Sequence, residues 1–214
     1  LAFIRLVREG YRVQPIFVDY GQWPSKSEYD AVLRVLARSR YYNSGGKILV
    51  REPVKIDLDW NEPVESVWGR SIALVGIAAM WAYTHGNHYG YISMGVHEGD
   101  VGPDCKPGEF TEALSKTLEI ATKGQMTLLL PIEDLDIKDI GRELGAIGVP
   151  WEDVYSCYWD PPCGYRSSND TYRCPGCRRK VIAMEEAGVK DQRLERPNCP
   201  QITYQSDQAT PTGY

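Results

Sequence analysis

The stretch that sets the fold is VQPIFVDYGQWPSKSEYDAVL, residues 13–33. Its first half is an apolar run that ends at Asp19 and a Gly turn, which predicts a short buried strand. Its second half opens with Ser25, a helix-capping residue, and then spaces apolar residues at helical intervals. A strand, a turn and a helix in this order form the repeating unit of an α/β protein.

The same alternation continues along the chain. The patterns predict further strands at 47–57, 89–96 and 126–132, and helices at 1–11, 25–42, 71–85, 108–124, 136–149 and 178–189. Strands joined by helices pair in parallel, so we expect one layered sheet over residues 1–150 with ligands beyond the carboxyl ends of its strands. Residues 151–195 then form a Cys-rich C-terminal lobe, and residues 196–214 form a flexible tail.

Composition narrows the function classes. The chain has 214 residues, of which 43% are hydrophobic, so it can build a packed core. Its net charge of −5 argues against direct binding of nucleic acid through phosphate neutralisation. The apolar run at 71–83 is too short for a membrane span, and no signal peptide opens the chain. We therefore expect a cytoplasmic protein without membrane contact.

Four of the six cysteines fall in one segment, at Cys157, Cys163, Cys174 and Cys177. The last two are separated by Pro-Gly, a spacing that lets both thiolates reach one tetrahedral ion. The pattern favours a structural zinc site with no open position. A disulfide framework, a redox pair and an iron–sulfur cluster are the alternatives; the first requires an oxidising compartment, and the second normally stands without two further cysteines nearby.

Several segments together resemble the QueC family, the 7-cyano-7-deazaguanine (preQ0) synthases. They are FVDYGQ with SEYDA (17–31), GRSIALVGIAAMWA (69–82), GVHEGDVGPDCKPGEF (95–110), LPIEDLDIKDIGREL (130–144) and the cysteine segment followed by EEAG. The resemblance covers residues 1–191. It implies a doubly wound parallel sheet of the N-type ATP pyrophosphatase kind (adenine nucleotide alpha hydrolase-like), a C-terminal lobe with one structural zinc ion, and a homodimer.

The resemblance also implies the chemistry. Family members turn the carboxylate of 7-carboxy-7-deazaguanine into a nitrile with ATP and ammonia, in the synthesis of queuosine or archaeosine precursors. ATP, bound with Mg²⁺, activates the carboxylate as an acyl-nucleotide, and ammonia displaces the nucleotide to give an amide. A second activation then permits loss of the amide oxygen. Such a protein must bind phosphates, hold a planar base and stabilise a leaving group.

The family motifs imply four groups of site residues. The ATP-binding group is Tyr20, Gly21, Gln22 and Arg70. The substrate-binding group is Gly95, Asp100, Asp104 and Cys105. The catalytic group is Arg70, Asp104 and Lys138, and the zinc ligands are Cys157, Cys163, Cys174 and Cys177.

Each assignment has a plainer alternative. Cys105 can be a buried structural thiol, Arg70 can pair with Glu62 or Glu65, and Lys138 can be a solvated surface charge. His97, Glu98 and Asp100 also form a potential metal-binding trio, although polar residues in a Gly loop usually serve turn formation.

One family motif is absent from the sequence. The phosphate loop Ser-Gly-Gly-x-Asp-Ser belongs between the first strand and first helix, and NSGG at 43–46 precedes a strand instead. Because the helical pattern is already under way at Leu1 without a cap, we expect the strand and loop to lie upstream. Two other functions stay open: ligation of another carboxylate, for instance on a protein partner in a defence system, and a non-enzymatic zinc-stapled binding module.

Overall fold

Helices and strands alternate along the chain as the sequence predicts. The computed structural model describes residues 1–38, 54–57, 69–86, 90–100, 105–158 and 175–189. Within them the elements are α1 (Ala2–Arg8), β1 (Ile16–Asp19), α2 (Ser25–Ala37), β2 (Val54–Asp57), α3 (Arg70–Thr84), β3 (Gly90–Ser93), α4 (Glu109–Ala121), β4 (Met126–Leu129), α5 (Ile137–Ile147), a 3₁₀ turn (Trp151–Asp153) and α6 (Pro175–Glu186).

The strands form two parallel pairs. β1 pairs with β2 in the register Ile16 to Val54, and β3 pairs with β4 in the register Gly90 to Met126. Parallel strands cannot be joined by a tight hairpin, and helices α2 and α4 lie in the connections between the paired strands. The expected parallel α/β architecture is confirmed. In the described part of the chain, however, the pairs are separate two-stranded sheets, so that β1 and β3, like their partners, each have one edge without a neighbouring strand.

Helices α5 and α6 pack closely against each other. A methyl group on Gly141 would stand 2.2 Å from the carbonyl oxygen of Ala183, and one on Gly145 would stand 2.8 Å from the Ala187 methyl. The absence of side chains at the two glycines therefore permits the contact. Ala183 and Met184 share a buried cluster with residues from other parts of the fold, namely Ile4, Ile132, Leu135, Ile140, Leu144, Val149 and Trp151. The helix predicted for the C-terminal lobe thus packs on the main core.

A buried carboxylate joins α2 to the 3₁₀ turn. The side chain of Asp153 is fully buried, and its oxygens lie 2.8 Å from Nε of Arg38 and 3.5 Å from Nε of Arg34. Both arginines are ion-pair partners of Asp153, but neither donates a well-aligned hydrogen bond to its carboxylate oxygens. Two cations from one helix thereby compensate a buried charge, and the pairing fixes α2 against the segment after α5.

Three helices end earlier than the sequence predicts, at Arg8, Ala37 and Ala121. The C-terminal helix is displaced at both ends. It begins at Pro175, three residues before the predicted start, so that Gly176 and Cys177 lie in its first turn. Proline suits this place because its ring presets a helical φ and the first helical N–H needs no partner. Of the predicted strand 47–57, residues 47–53 lie outside the described residues, as does the predicted tail. No helix among the described residues is long and apolar enough to cross a membrane.

Candidate active site

A cavity of about 850 Å³ lies between the two strand pairs. Residues 16–18 of β1 and 90–93 of β3 line opposite sides, α1 contributes Ala2, Phe3 and Leu6, and α3 contributes Leu74, Val75 and Ala78. The volume is in the range typical of small-molecule sites. Most of the lining is apolar, and the polar groups stand where β1 and β3 end. This is the edge at which open α/β sheets bind ligands.

A tight turn follows β1. Gly21 adopts a φ of 78°, a left-handed conformation that favours glycine. The amide of Gly21 donates to Oδ1 of Asp19 at 3.1 Å, and the amide of Tyr20 donates to Oε1 of Gln22 at 2.9 Å. The turn is thus closed by two side chains of its own sequence. It directs Tyr20 and Gln22 into the lining of the cavity.

Gln22 connects this turn to α2. Its buried Nε2 donates to the carbonyl oxygen of Val18 at 3.3 Å and to Oε2 of Glu28 at 3.1 Å. With its Oε1 on Tyr20, the amide holds together the strand, the turn and the first turn of α2. Gln22 therefore positions Tyr20 and Glu28, whereas direct contact with ATP stays a prediction for this residue.

Arg70 reaches the same cluster from another element. It is the first residue of α3, and Gly69 before it caps the helix in a left-handed conformation with a φ of 75°. Nη1 of Arg70 donates to the hydroxyl oxygen of Tyr20 at 3.4 Å. Three of the four predicted ATP-binding residues, Tyr20, Gln22 and Arg70, therefore lie together in the cavity lining. The alternative partners Glu62 and Glu65 lie outside the described residues.

Two carboxylates near the turn have opposite environments. Burial acts to raise the pKa of Asp19, but hydrogen bonds from Ser25, Lys55 and the Gly21 amide outweigh it, so the pKa is lowered. Nζ of Lys55 lies 3.0 Å from Oδ2 of Asp19. For Glu28 burial dominates and raises the pKa, although the Gln22 hydrogen bond and the charge of Arg70 oppose the shift. Asp19 is thus a stable anion, and Glu28 binds a proton more readily.

The far end of the cavity contains the predicted substrate residues. Gly95, Asp100 and Cys105 all line it. Oδ1 of Asp100 lies 3.4 Å from Nε2 of His97 and 3.6 Å from Nη1 of Arg179 on α6, and Oδ2 accepts from the backbone amide of His97 at 3.1 Å. Arg179 thereby connects the cysteine-bearing helix to the loop after β3.

The loop geometry supports the plainer interpretation of the trio at 97–100. Two of its members, His97 and Asp100, contact each other, and the backbone amide of Glu98 donates to the carbonyl oxygen of Leu135 at 2.9 Å. Nothing in the described ranges forms a group of three or more His, Cys, Asp or Glu side chains able to hold a metal ion.

The predicted catalytic residues do not all meet. Lys138 lies on α5 with its side chain 56% exposed, and its Nζ is 3.5 Å from Oε1 of Glu186. It is not part of the cavity lining. Asp104 lies outside the described residues. Of this group, only Arg70 is placed at the cavity by the structure, and the roles given to Lys138 and Asp104 stay predictions.

Two of the four predicted zinc ligands are described. Cys157 and Cys177 are both buried, and their segments touch, because Oγ of Ser156 donates to the carbonyl oxygen of Gly176 at 3.0 Å. A methyl group on Gly176 would stand 1.7 Å from the Ser156 carbonyl oxygen. Two buried thiols on touching segments fit the donor chemistry of half a tetrahedral thiolate site. Cys163 and Cys174 lie outside the described residues.

The sequence analysis assigned no role to Glu28 or Arg179. Glu28 falls in SEYDA, where it reads as an ordinary polar residue of a predicted helix. Only the structure shows that it lines the cavity together with β1. One signal was available: the first turn of the helix after β1 lies beside the carboxyl end of that strand. Arg179 carries no such signal, because its contact with Asp100 spans 79 positions of sequence.

Comparisons with known proteins identify the family of the chain. The family model described as Queuosine biosynthesis protein QueC matches residues 1–188. A 7-cyano-7-deazaguanine synthase of Aquifex aeolicus is 31% identical over 199 residues, covering 83% of this chain and 87% of that protein. One of Novosphingobium aromaticivorans is 28% identical over 200 residues, covering 86% and 83% respectively. The chain therefore belongs to the QueC family.

Proposed function

We propose that this protein is an ATP-dependent ligase that converts 7-carboxy-7-deazaguanine and ammonia to 7-cyano-7-deazaguanine, in queuosine or archaeosine precursor synthesis. The observation that carries the proposal is the cluster of Tyr20, Gln22, Glu28 and Arg70 at the carboxyl end of β1, on the wall of one cavity. Its relatives are named for this reaction, and the chain covers more than four-fifths of their length.

The proposed reaction requires binding sites for ATP and for a carboxylate substrate, and the cavity has features suited to both. A carboxylate is a poor electrophile, so its oxygen must first be converted to a leaving group by ATP. The apolar part of the cavity, lined by Val18, Ile92 and Val75, runs along the strands, and the ligands are proposed to bind at its polar end, beyond the carboxyl ends of β1 and β3. Phosphate groups require positive charge, which Arg70 supplies at the N-terminus of a helix.

The residues at the two ends then take different roles. At the β1 end, Arg70 and the turn at Tyr20 and Gly21 contact ATP. At the β3 end, Gly95, Asp100 and Cys105 contact the deazaguanine, and the catalytic role expected for Asp104, which lies outside the described residues, stays part of the proposal. Lys138 would reach the phosphates only by leaving its pairing with Glu186. Mg²⁺ accompanies ATP.

The gap between the strand pairs is suited to one more strand. β1 and β3 each have an unpaired edge within the described residues, and the cavity runs along residues 16–18 and 90–93. A parallel strand there would satisfy both edges and complete the doubly wound sheet. We propose that the strand and phosphate loop expected upstream of Leu1 occupy this gap. Sequencing the DNA upstream of the Leu1 codon tests it, since an in-frame Ser-Gly-Gly-x-Asp-Ser is expected.

The cysteine segment is proposed to bind one structural zinc ion through Cys157, Cys163, Cys174 and Cys177, forming the C-terminal lobe over 151–195. When bound, the zinc would cross-link the chain and perform no chemistry, because four thiolates leave no open position. Metal analysis of the purified protein should find one zinc per chain. Cys177→Ala should lower both zinc content and melting temperature, whereas Cys105→Ala should leave the zinc content unchanged.

A direct assay tests the reaction. The full-length protein is incubated with 7-carboxy-7-deazaguanine, MgATP and ammonium, and the nitrile is detected by mass spectrometry. Arg70→Ala should lower nitrile formation at least tenfold, while Arg142→Ala, which removes an exposed arginine paired with Asp139 and Glu186, should not. Absence of nitrile in a zinc-loaded wild-type protein would reject the proposal and favour another carboxylate substrate. Gel filtration tests the expected homodimer.

A further inference from the structure

Glu28 is the one carboxylate on the β1 side of the cavity lining. Among the described residues, its side chain accepts a single hydrogen bond, from Nε2 of Gln22 to Oε2 at 3.1 Å. Gln22 is itself anchored on Val18 and Tyr20. The carboxylate is therefore oriented through one oxygen at the cavity wall.

The groups around Glu28 act on its pKa in opposite directions. Arg70 faces it from α3, Asp19 faces it from the end of β1, and Gln22 donates to it from the turn. Burial and the negative charge of Asp19 raise the pKa of Glu28, and Arg70 limits the rise. A raised pKa makes the Glu28 carboxylate a stronger base than an ordinary glutamate, which suits it to accept a proton.

Other charged residues of the site are already engaged. Asp19 is paired with Lys55, Asp100 is held by His97 and Arg179, and Lys138 stands on the surface beside Glu186. When two carboxylates of one site have their pKa values pushed apart, the raised one is the candidate for proton transfer. Glu28 meets this criterion and Asp19 does not.

We propose that Glu28 is the general base that accepts the protons released as the amide and the nitrile form. This inference rests on the proposed function and adds a residue to it. Both halves of the reaction release protons from nitrogen, and the releases follow each other at one carbon atom. Because the carboxyl carbon must reach ATP at the β1 end to be activated, a single base on that side of the cavity serves both halves.

The bonds balance as follows. In the first half, neutral ammonia attacks the activated carboxyl carbon, a C–N bond forms, and the C–O bond to AMP breaks with its electron pair leaving on AMP. The nitrogen, now positively charged, gives one proton to Glu28. In the second half, the amide oxygen attacks the α-phosphorus of a second ATP, pyrophosphate leaves, and the positively charged nitrogen gives one proton to Glu28 to form the neutral imidate. Glu28 returns this proton, like the first, to water before the next transfer. The imidate nitrogen gives its proton to Glu28, the freed N–H electron pair becomes the third C–N bond, and AMP leaves with the oxygen.

The test separates activation from proton transfer. Wild-type, Glu28→Gln, Glu28→Asp and Asp30→Asn proteins are compared in two assays: substrate-dependent exchange of pyrophosphate into ATP, which reports adenylation alone, and nitrile formation from the amide. Asp30 is the matched control, since it lies on the same helix and pairs with Lys26 at the surface. The glutamine variant keeps an acceptor for Gln22 and cannot take a proton.

Glu28→Gln should keep pyrophosphate exchange within about threefold of wild type and lose nitrile formation by about 100-fold or more, the usual size of general-base catalysis. Glu28→Asp should recover part of that loss, and Asp30→Asn should match wild type in both assays. Equal losses in exchange and nitrile formation would overturn the inference by showing that Glu28 serves ATP binding, as would unchanged nitrile formation. Failure of the wild-type protein to make nitrile would instead reject the proposed function.

Discussion

The contact between α5 and α6 and the gap between β1 and β3 represent opposite extremes of packing in one chain. At the first, helix backbones approach so closely that Gly141 has no room for a methyl group beside Ala183. At the second, two strand edges face a cavity of about 850 Å³. The close contact contains few groups that could do chemistry. The gap contains Tyr20 and Arg70 among its lining residues.

This difference separates scaffold from site. Close-packed interiors transmit strain and hold neighbouring elements in fixed positions, and the α5–α6 contact fixes the helix that bears Cys177 and Arg179. Arg179 then reaches Asp100 at the cavity edge. The rigid region thus has a direct contact with the open one, and its integrity should matter for substrate binding as well as for folding.

The strongest test of the packed side is Gly141→Ala. The new methyl group would overlap the Ala183 carbonyl, so α5 and α6 must move apart, and we expect the free energy of unfolding to fall by about 3 kcal/mol, at the upper end for overpacking. Urea unfolding followed by circular dichroism measures it. The control is Gly76→Ala on α3, where a methyl group would meet nothing within 4 Å and should stabilise by up to about 1 kcal/mol.

Equal stability of Gly141→Ala and wild type would show that α5 and α6 are less closely packed than described. Loss of stability in both glycine variants would show that the effect is not specific to the contact. Either result would remove the contrast between the two regions.

The sequence predicted the packed side as helices and could not predict the contact. The periodic pattern at 136–149 predicted α5 correctly, because apolar spacing reports the buried face of a helix. Nothing local in GRELGAIG shows that both glycines face one partner helix. That property depends on how two elements 40 positions apart dock, which is a tertiary effect.

A second test of the packed side concerns Asp153. Asp153→Asn removes the buried negative charge that pairs with Arg34 and Arg38. We expect the free energy of unfolding to fall by about 2 kcal/mol, less than for a fully buried ion pair because both arginines are partly exposed. Glu152→Gln is the control, since Glu152 is exposed and only 3.7 Å from Arg38, and it should change stability by less than about 0.5 kcal/mol. Chemical unfolding measures both variants, and equal effects would contradict a special role for burial.

The site was only partly predictable, for a similar reason. Motif residues such as Tyr20, Gly95 and Asp100 were placed correctly at the strand ends, because the order of strands and helices fixes that edge. The sequence alone gave no indication that the Gln22 side chain bonds to other groups of the protein, or that Glu28 is the carboxylate that accepts its hydrogen bond. Hydrogen bonds between a turn and a following helix depend on side-chain geometry, which the residue pattern does not specify.

The smallest expected effects concern the open side and its two carboxylates. The pKa of Asp19 is lowered from an ordinary value of 3.8, so its ionisation stabilises the fold above that pH, and the gain is lost as pH falls through the folded pKa. The pKa of Glu28 is raised from 4.5, so ionisation of Glu28 lowers the stability of the fold. This loss of stability is absent below pH 4.5 and reaches its full size once the pH exceeds the folded pKa. Asp19→Asn should therefore be less stable than wild type at pH 7, and Glu28→Gln should be more stable.

The difference for Glu28→Gln should shrink as pH falls toward 4.5, whereas the difference for Asp19→Asn should persist to about pH 4 and shrink only below it. Thermal unfolding from about pH 3 to pH 8 measures both. Asp30→Asn serves as control and should stay within about 0.5 kcal/mol of wild type at every pH, since its pair with Lys26 is exposed. A Glu28→Gln protein that is less stable than wild type at pH 7 would mean that Glu28 supports the fold. A more stable one would mean that a destabilising carboxylate is kept at the cavity wall, which a catalytic role explains and packing does not.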